Sequence, residues 1–253
     1  MKSPRFAICV ALSCTLLGAC ASSNSSAPEA RSPADPWEPM NRNIEAFNNT
    51  LDKAMLKPVA RGYKAVVPTL ARRGVSNFYD NLTTPLTAIN NFLQGKGGAG
   101  VSDVGRFLVN SSIGLLGILD VATEFGLEQH DEDFGQTLAV WGTGSGPYVV
   151  IPFFGPSTLR DALVMPLDII ANPLYHYRNS SVRDKLYILR GIDLRTRLLN
   201  AERLLEDSAD RYITLRESYL QNRRYIIYDG NPPVDEDFYD EFLDDESAED
   251  DAE

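Results

Sequence analysis

The chain has 253 residues, a formal net charge of −11 and three cysteines, Cys9, Cys14 and Cys20. The negative charge is concentrated at one end, because residues 229–253 hold 13 of the 35 acidic residues and neither lysine nor arginine. Residues 20–228 therefore carry 22 acidic and 22 basic residues. A neutral body without a basic stripe argues against nucleic-acid binding.

The N-terminus is typical of a bacterial signal peptide that ends in a lipidation site. Lys2 and Arg5 precede an apolar run over residues 6–17, which is too short to span a bilayer. The run closes on Leu-Gly-Ala directly before Cys20, the lipobox pattern in which the thiol is acylated and the chain is cut before the cysteine. We therefore expect removal of residues 1–19 and a lipid anchor on Cys20.

Two consequences follow from this processing. Cys9 and Cys14 leave with the signal and Cys20 is acylated, so the mature chain has no thiol for a disulfide, a nucleophile or a metal. Ala21 follows the lipidated residue, where an aspartate would favour retention in the inner membrane. The absence of an aspartate at this position predicts that the protein is sorted to the outer membrane.

Composition divides the mature chain into three parts. Residues 20–34 are rich in Ser, Ala and Pro, which is typical of a flexible tether. Residues 35–228 are predicted to form a single all-α domain. Residues 229–253 are predicted to be a disordered acidic tail.

In chain order, the first predicted helix carries apolar residues at helical spacing from Met40 to Met55 and ends at Pro58. Pro68 is predicted to open the second helix, and residues 85–94 to form a short apolar helix of their own. Residues 95–100 are glycine-rich and predict a break in the chain.

Further along, residues 103–124 predict one long apolar helix that is loosened near its middle by serine and glycine. Residues 142–147 predict a flexible connection, and residues 148–154 the one plausible strand. Ser157 is a candidate N-cap for the next helix. Two amphipathic helices, over residues 181–206 and 208–225, complete the predicted domain.

The sequence offers little for catalysis. Only His130 and His176 are present, and residues 142–146 do not form the Gly-x-Ser-x-Gly turn of a hydrolase or a phosphate-binding loop. The run from His130 to Asp133 is best interpreted as a solvated charged loop, with calcium binding left open. We therefore predict no catalytic residue, no cofactor and no metal.

Several apolar stretches, over residues 113–119, 148–154 and 163–174, are too short or too interrupted to span a bilayer. They are either core or, in a lipid-anchored domain, faces that lie in the membrane interface. Aromatic residues favour headgroup depth, and four are candidate interface anchors: Trp37, Trp141, Tyr148 and Tyr175.

An ordered series of motifs across residues 35–228 resembles the MlaA (VacJ) lipoprotein family. The series includes DPWEPMNR at 35–42, GVSNF at 74–78, NFLQG at 91–95, DFGQTL at 133–138, WGxGxGPY at 141–148 and PxxGPSxxRD at 152–161. The acidic tail lies outside the pattern.

The resemblance implies a helical ring that lies in the inner leaflet of the outer membrane and encloses an amphipathic channel. Such a protein removes misplaced phospholipids from the outer leaflet and passes them to a soluble periplasmic carrier, and a trimeric porin holds the ring. The resemblance also makes Gly142, Gly144, Gly146 and Pro147 candidate hinge residues at the channel mouth. It assigns Phe47 and Asn48 to a Phe-Asn pair whose placement matters for gating.

Two other functions remain open at this stage. A structural envelope lipoprotein would organise porins without moving lipid, and a phospholipase would release fatty acids. A transporter predicts bound phospholipid and a channel that bulky side chains block, whereas a scaffold predicts neither.

Overall fold

The structure is a computed structural model that describes residues 32–200, 202 and 208–233. The chain divides after Ser32, and the helical unit begins at Pro33. The predicted signal peptide, the lipidation site Cys20, nearly all of the tether and the tail beyond residue 233 lie outside the described residues.

The unit is all-α with one small sheet, as predicted. The helices are α1 (Glu38–Leu51), α2 (Lys57–Val66), α3 (Thr69–Leu93), α4 (Gly97–Ser112), α5 (Val121–Glu124), α6 (Phe134–Val140), α7 (Leu159–Ala171), α8 (Ser180–Leu198) and α9 (Arg211–Ile227). Strands β1 (Tyr148–Ile151) and β2 (Gly155–Thr158) pair antiparallel. Among the helices of the described residues, none combines the length and the apolar character needed to cross a bilayer.

The first helical run does not end at Pro58, contrary to the prediction. A π-helical turn, Asp52–Leu56, joins α1 directly to α2, and Pro58 lies in the first turn of α2. The Lys57 amide donates to the Asp52 carbonyl within this turn, so the run passes Pro58 with the loss of the one backbone hydrogen bond that the proline cannot donate. Arg195 of α8 binds Asp52 through two contacts of 2.6 and 2.8 Å and so fixes the junction.

Helix α3 begins just after Pro68, as expected, but the separate helix predicted at 85–94 does not exist. The helix continues through Pro85 for 25 residues. Just before the proline, the hydroxyls of Thr83 and Thr84 each donate to the carbonyl of Asp80 at 2.9 Å. The acceptor that Pro85 itself leaves without a backbone donor is the Asn81 carbonyl, four residues earlier, so these bonds brace the turn just before the proline.

The long helix predicted over 103–124 is also wrong. Helix α4 ends at Ser112, and residues 113–120 form a loop in which Leu115, Leu116 and Gly117 have positive φ angles. The glycine-rich break at 95–100 is shorter than expected, since α4 already begins at Gly97.

The strand predicted at 148–154 exists but ends at Ile151, and it forms a hairpin with β2. Ser157 lies in β2, and Thr158 caps α7 by accepting from the amide of Asp161 at 3.3 Å. Pro166 lies inside α7 and does not end it. Helix α8 ends at Leu198, earlier than predicted, and Asp210 caps α9.

The hairpin lies against α1 and α9. Tyr148 and Val150 pack with Tyr212 of α9 in a small buried cluster. Next to this cluster the fully buried Asp35 accepts hydrogen bonds from Tyr212, Asn41 and Arg216. The entry segment before α1 is thereby tied to the last helix.

Candidate functional site

The distribution of apolar side chains differs from that of an ordinary water-soluble domain. Within the described residues, more polar and charged side chains than apolar ones are buried. Many large apolar side chains are more than half exposed, including Val66, Leu70, Val101, Leu108, Ile113, Leu115, Leu116, Phe125, Phe153, Phe154, Leu163 and Ile188. An apolar outer surface of this extent is typical of contact with a membrane or a partner.

A cavity of about 750 Å³ lies between α3, the 113–120 loop and α8. Its wall is mostly apolar but includes charged and amide groups; the lining residues are Leu70, Ala71, Arg73, Gly74, Val75, Asn77, Phe78, Tyr79, Ile118, Leu119, Asp120, Leu186 and Leu189. A volume of this size falls within the range of small-molecule sites. The mixed lining suits a molecule with one polar and one apolar part.

Helix periodicity explains why α3 contributes both kinds of wall. Arg73 and Asn77 are four residues apart and lie on one face, whereas Val75 and Phe78 lie on the adjacent face. Gly74 lies between Arg73 and Val75 in the chain, and a β-carbon at this position would lie 3.0 Å from the Ile118 side chain. Glycine thus lets the 113–120 loop pack closely against α3 and close one side of the cavity.

A narrow polar cleft adjoins the cavity and shares Asn77 and Asp120 with it. The other cleft residues are all polar: Asp80, Asn81, Thr84, Arg106, Asn110 and Gln129. Its free volume is only about 20 Å³. Polar groups are therefore concentrated next to one side of the apolar cavity.

Hydrogen bonds hold the cleft rigid. Arg106 contacts Asp120 at 2.9 Å and donates to the Leu127 carbonyl at 2.5 Å, and Asn110 donates to Asp120 at 3.0 Å. Burial raises the pKa of Asp120, but hydrogen bonds from Thr123 and Asn110 and the charge of Arg106 outweigh it and lower the pKa overall. Asp120 is thus held as a carboxylate.

Two charged groups near the cleft lack a partner of opposite charge within ion-pair distance in the described part of the chain. Arg190 of α8 lies over the ring of Tyr79, with its guanidinium carbon 5.6 Å from the ring centre. Asp131 is exposed to solvent yet surrounded by protein on most sides, as expected of a group in a recess. Burial, and then the charges of Asp133 and Asp80, raise the pKa of Asp131.

The predicted hinge segment follows α6. Gly142 and Gly146 have φ angles of 90° and 65°, a conformation that favours glycine, and Gly144 has open space around its α-carbon. The amides of Leu159 and Arg160 donate to the Pro147 and Ser145 carbonyls at 2.9 and 3.0 Å. The Thr143 amide also donates to the Leu138 carbonyl at 2.9 Å, so both ends of the segment are anchored around Gly144, and its role as a hinge stays a prediction.

The predicted Phe-Asn pair contacts the tip of the hairpin. Asn48 donates to the Ile151 carbonyl at 3.0 Å and accepts from the Phe153 amide at 2.8 Å. Phe47 packs edge-to-face on Phe153 with ring centres 5.5 Å apart. Any shift of α1 at this point would move the hairpin tip.

The four candidate interface anchors differ in position. Trp37, Trp141 and Tyr175 are exposed, and the Trp141 indole donates to the Leu93 carbonyl at 3.0 Å. Tyr148 is only 1% exposed and packs against Tyr212, so its assignment as an anchor is corrected. As a β1 residue directed at α9, it belongs to the core.

The side chains from His130 to Asp133 diverge. His130 contacts Asp103 at 3.0 Å, Glu132 binds Lys96 at 3.0 Å, and Asp133 binds Arg223 at 2.7 Å. In the part of the chain that the structure describes, no group of three potential ligands is arranged to hold a metal ion.

Sequence reasoning missed the cavity residues Arg73, Asn77, Asp120 and Leu189. A signal was present, since residues 53–79 contain six basic residues and no acidic one, and polar residues recur along α3 at positions 73, 77, 81 and 84. That three separate segments meet around this face of α3 is visible only in the structure.

These features define a class of helical, membrane-associated proteins with a cavity of mixed polar and apolar lining. The family model described as MlaA lipoprotein matches residues 33–226, and the chain belongs to this family. The resemblance seen in the motifs is thereby confirmed.

Curated relatives agree. The chain is 38% identical over 225 residues to the intermembrane phospholipid transport system lipoprotein MlaA of Escherichia coli (strain K12) and, equally, of Shigella flexneri. Each match covers 87% of this chain and 88% of the relative. The Haemophilus influenzae protein of the same name is 30% identical over 224 residues, or 87% of this chain and 89% of the relative. These names describe a transport system and not an enzyme.

A solved structure concerned with the structural basis for maintenance of bacterial outer membrane lipid asymmetry is also similar. Its chain is 37% identical, with a TM-score of 0.67, over 78% of this chain and 100% of its own length. At this identity the likeness extends to the family as well as to the fold.

Proposed function

We propose that this protein is an outer-membrane lipoprotein that removes misplaced phospholipids from the outer leaflet and passes them to a periplasmic carrier, so maintaining lipid asymmetry. The observation that carries the proposal is the cavity bounded by α3, the 113–120 loop and α8. The names of the relatives, which describe phospholipid transport, support it.

The physical requirement is specific. A phospholipid that leaves one leaflet must move its polar head past a hydrocarbon layer. Placing an unsatisfied polar group in that layer costs on the order of several kcal/mol. The apolar wall at Val75, Phe78 and Leu189 suits the acyl chains, while the polar groups that line the same cavity, among them Arg73 and Asn77, suit the head. The arrangement lowers the barrier without any bond being made or broken.

A lipid on Cys20 and the exposed apolar residues would hold the domain in the inner leaflet of the outer membrane, on the periplasmic side. We include a trimeric porin and a soluble lipid carrier as partners, as the family resemblance implies. The exposed Trp37, Trp141 and Tyr175 are the anchors that we propose at headgroup depth.

The proposal is tested by labelling phosphatidylethanolamine at the cell surface in a strain that lacks the gene and in complemented strains. Val75→Trp and Leu189→Trp each add bulk to the cavity, whereas Leu108→Trp adds the same ring at an exposed α4 position that does not line it. We expect surface label to rise on deletion and to fall with wild type and Leu108→Trp but not with the cavity variants. Unchanged label on deletion, with expression verified in the parent strain, would reject lipid removal and favour a porin scaffold.

The hinge has its own test. Gly144→Ala introduces a β-carbon into open space, so the fold should tolerate it while local backbone freedom falls. We expect slower lipid removal at unchanged thermal stability. Gly98→Ala, also in open space but at the start of α4, is the control, and equal activity of the two variants would exclude a hinge at Gly144.

A further inference from the structure

We propose that Arg73, at the edge of the cavity, binds the phosphate of the transported lipid and makes the site selective for phospholipids of net negative charge. The inference rests on the proposed function, because it concerns the same cavity. It adds a binding residue and a substrate preference.

The first observation is the charge of the corner where α2 meets α3. Residues 53–79 contain six lysines and arginines and no aspartate or glutamate. Elsewhere the body alternates acidic and basic residues closely enough to form many ion pairs. This run therefore supplies an excess of positive charge beside the cavity, offset in part where Glu202 pairs with Lys57.

The second observation is the state of the individual cations. Lys57 is paired with Glu202 at 2.7 Å, and Lys64 donates to the Asn200 side chain at 3.1 Å. Arg73, by contrast, is exposed and makes neither an ion pair nor a hydrogen bond with any part of the chain that the structure describes. Its guanidinium is available to a ligand, and this planar group binds phosphate through two parallel hydrogen bonds.

The third observation is the apolar surface beside the same residue. Leu70, one helical turn before Arg73, is 77% exposed, and Val66 at the end of α2 is 81% exposed. Leu70 also lines the cavity, whose wall continues through Val75 and Leu189. A cation beside an apolar passage fits a ligand with a phosphate joined to hydrocarbon chains.

These observations favour lipid over an acidic protein segment. A peptide would be held by the charges alone, whereas the cavity behind Arg73 has room for acyl chains. Zwitterionic lipids also carry a phosphate, but their own ammonium group offsets its charge. The positive corner should therefore favour phosphatidylglycerol over phosphatidylethanolamine.

The test uses the full-length protein in detergent, freed of bound lipid and incubated with mixed micelles of equal phosphatidylglycerol and phosphatidylethanolamine. The protein is re-isolated and its bound lipid is quantified by mass spectrometry. We expect the wild type to enrich phosphatidylglycerol about tenfold, the order of effect of one additional net charge beside a cation near the protein surface. Arg73→Gln should lose most of this enrichment, and Arg73→Lys should retain part of it.

Arg178→Gln is the matched control, because Arg178 is exposed and lies outside both the cavity and the basic run. It should enrich phosphatidylglycerol as the wild type does. Equal uptake of both lipids by the wild type, or full enrichment by Arg73→Gln, would overturn the inference and leave the proposed function standing. Binding of a polyglutamate peptide that depends on Arg73, without lipid selectivity, would overturn it in favour of an acidic protein partner.

Failure of the proposed function has a different outcome. In that case the wild type and the cavity variant Val75→Trp would retain equally little lipid of either kind. The ratio of the two bound lipids thus tests the selectivity, while the total amount of bound lipid in the same samples tests the proposed function.

Discussion

Asn41 and Asn48 lie seven residues apart on α1, and each binds the hairpin backbone through both ends of its amide. Asn41 donates to the Tyr148 carbonyl at 3.0 Å and accepts from the Val150 amide at 2.9 Å. Asn48 makes the same pair of contacts three residues further along the hairpin. Seven helical residues and three strand residues both advance the chain by about 10 Å, so the two amides match the two backbone sites.

We expect Asn41→Ala to destabilise the protein by about 2–3 kcal/mol, because Asn41 is fully buried and its loss removes the partner of two hairpin backbone groups and one of the donors to Asp35. Asn48→Ala, which is only partly buried, should cost about 1–2 kcal/mol. Urea unfolding in detergent measures both. Asn43→Ala, exposed on the same helix, should have little effect, and an equal loss for all three variants would contradict the role of the hairpin contacts.

Gly117 packs against α3 in a conformation that other residues avoid. Its φ angle is 90°, and a β-carbon would come within 2.4 Å of the Asn81 β-carbon. Gly117→Ala should therefore cost about 3 kcal/mol or more, and it should expel the 113–120 loop from its place beside the cavity. Thermal unfolding measures the loss. Gly97→Ala is the control and should be neutral, because open space surrounds Gly97. A neutral Gly117→Ala would show instead that the loop is free to move away from α3.

Arg223 of α9 binds both Asp133 and Asp161, at 2.7 and 2.8 Å. Burial raises the pKa of Asp161, but hydrogen bonds and charge from Arg223, and then from Arg160, outweigh it, so the pKa is lowered overall. A carboxyl group whose pKa is lowered in the folded state stabilises the fold at pH values above its ordinary pKa. This stabilisation is lost as the pH falls through the lowered pKa.

We therefore expect Arg223→Gln to cost about 3 kcal/mol at pH 7, where two carboxylates lose their partner. The cost should shrink when unfolding is measured below about pH 4, the ordinary range of such groups. Arg183→Gln, whose partner Asp184 is exposed, is the control and should cost less than about 0.5 kcal/mol. A pH-independent cost for Arg223→Gln would argue for lost packing in place of lost charge.

Asp168 of α7 has the opposite behaviour. Burial raises its pKa to about 6, even though the Phe134 amide donates to it at 3.1 Å. The folded state thus favours the protonated form of Asp168. The contribution of this form to stability is full below the unfolded pKa of about 4 and is lost as the pH rises through about 6.

Asp168→Asn keeps an acceptor for Phe134 but cannot ionise. We expect the variant to be more stable than the wild type by about 2 kcal/mol at pH 7.5, after allowance for partial solvent screening, and equal to it at pH 4. Asp184→Asn, at an exposed site, serves as the control. The same stability difference at both pH values would show that Asp168 does not titrate as described.

Where local signals agreed with the tertiary structure, the sequence could be read directly. Pro68 and the start of the strand at Tyr148 lie where they were predicted, because helix starts at proline and short apolar runs depend on neighbours in the chain. Pro58 was predicted to end a helix and Pro85 to start a separate one, and both predictions are wrong. Each proline lies in a helical run that continues past it, which the local sequence pattern does not reveal.

The sequence by itself determined the all-α class, the family and, through its ordered motifs, the expected function, because these depend on residue types and their spacing along the chain. Only the tertiary structure decided that Tyr148 is core and that Arg73, Asn77 and Leu189 share one cavity. Burial and cavity walls depend on which distant segments meet, here α3 with the 113–120 loop and α8. No local pattern encodes that meeting.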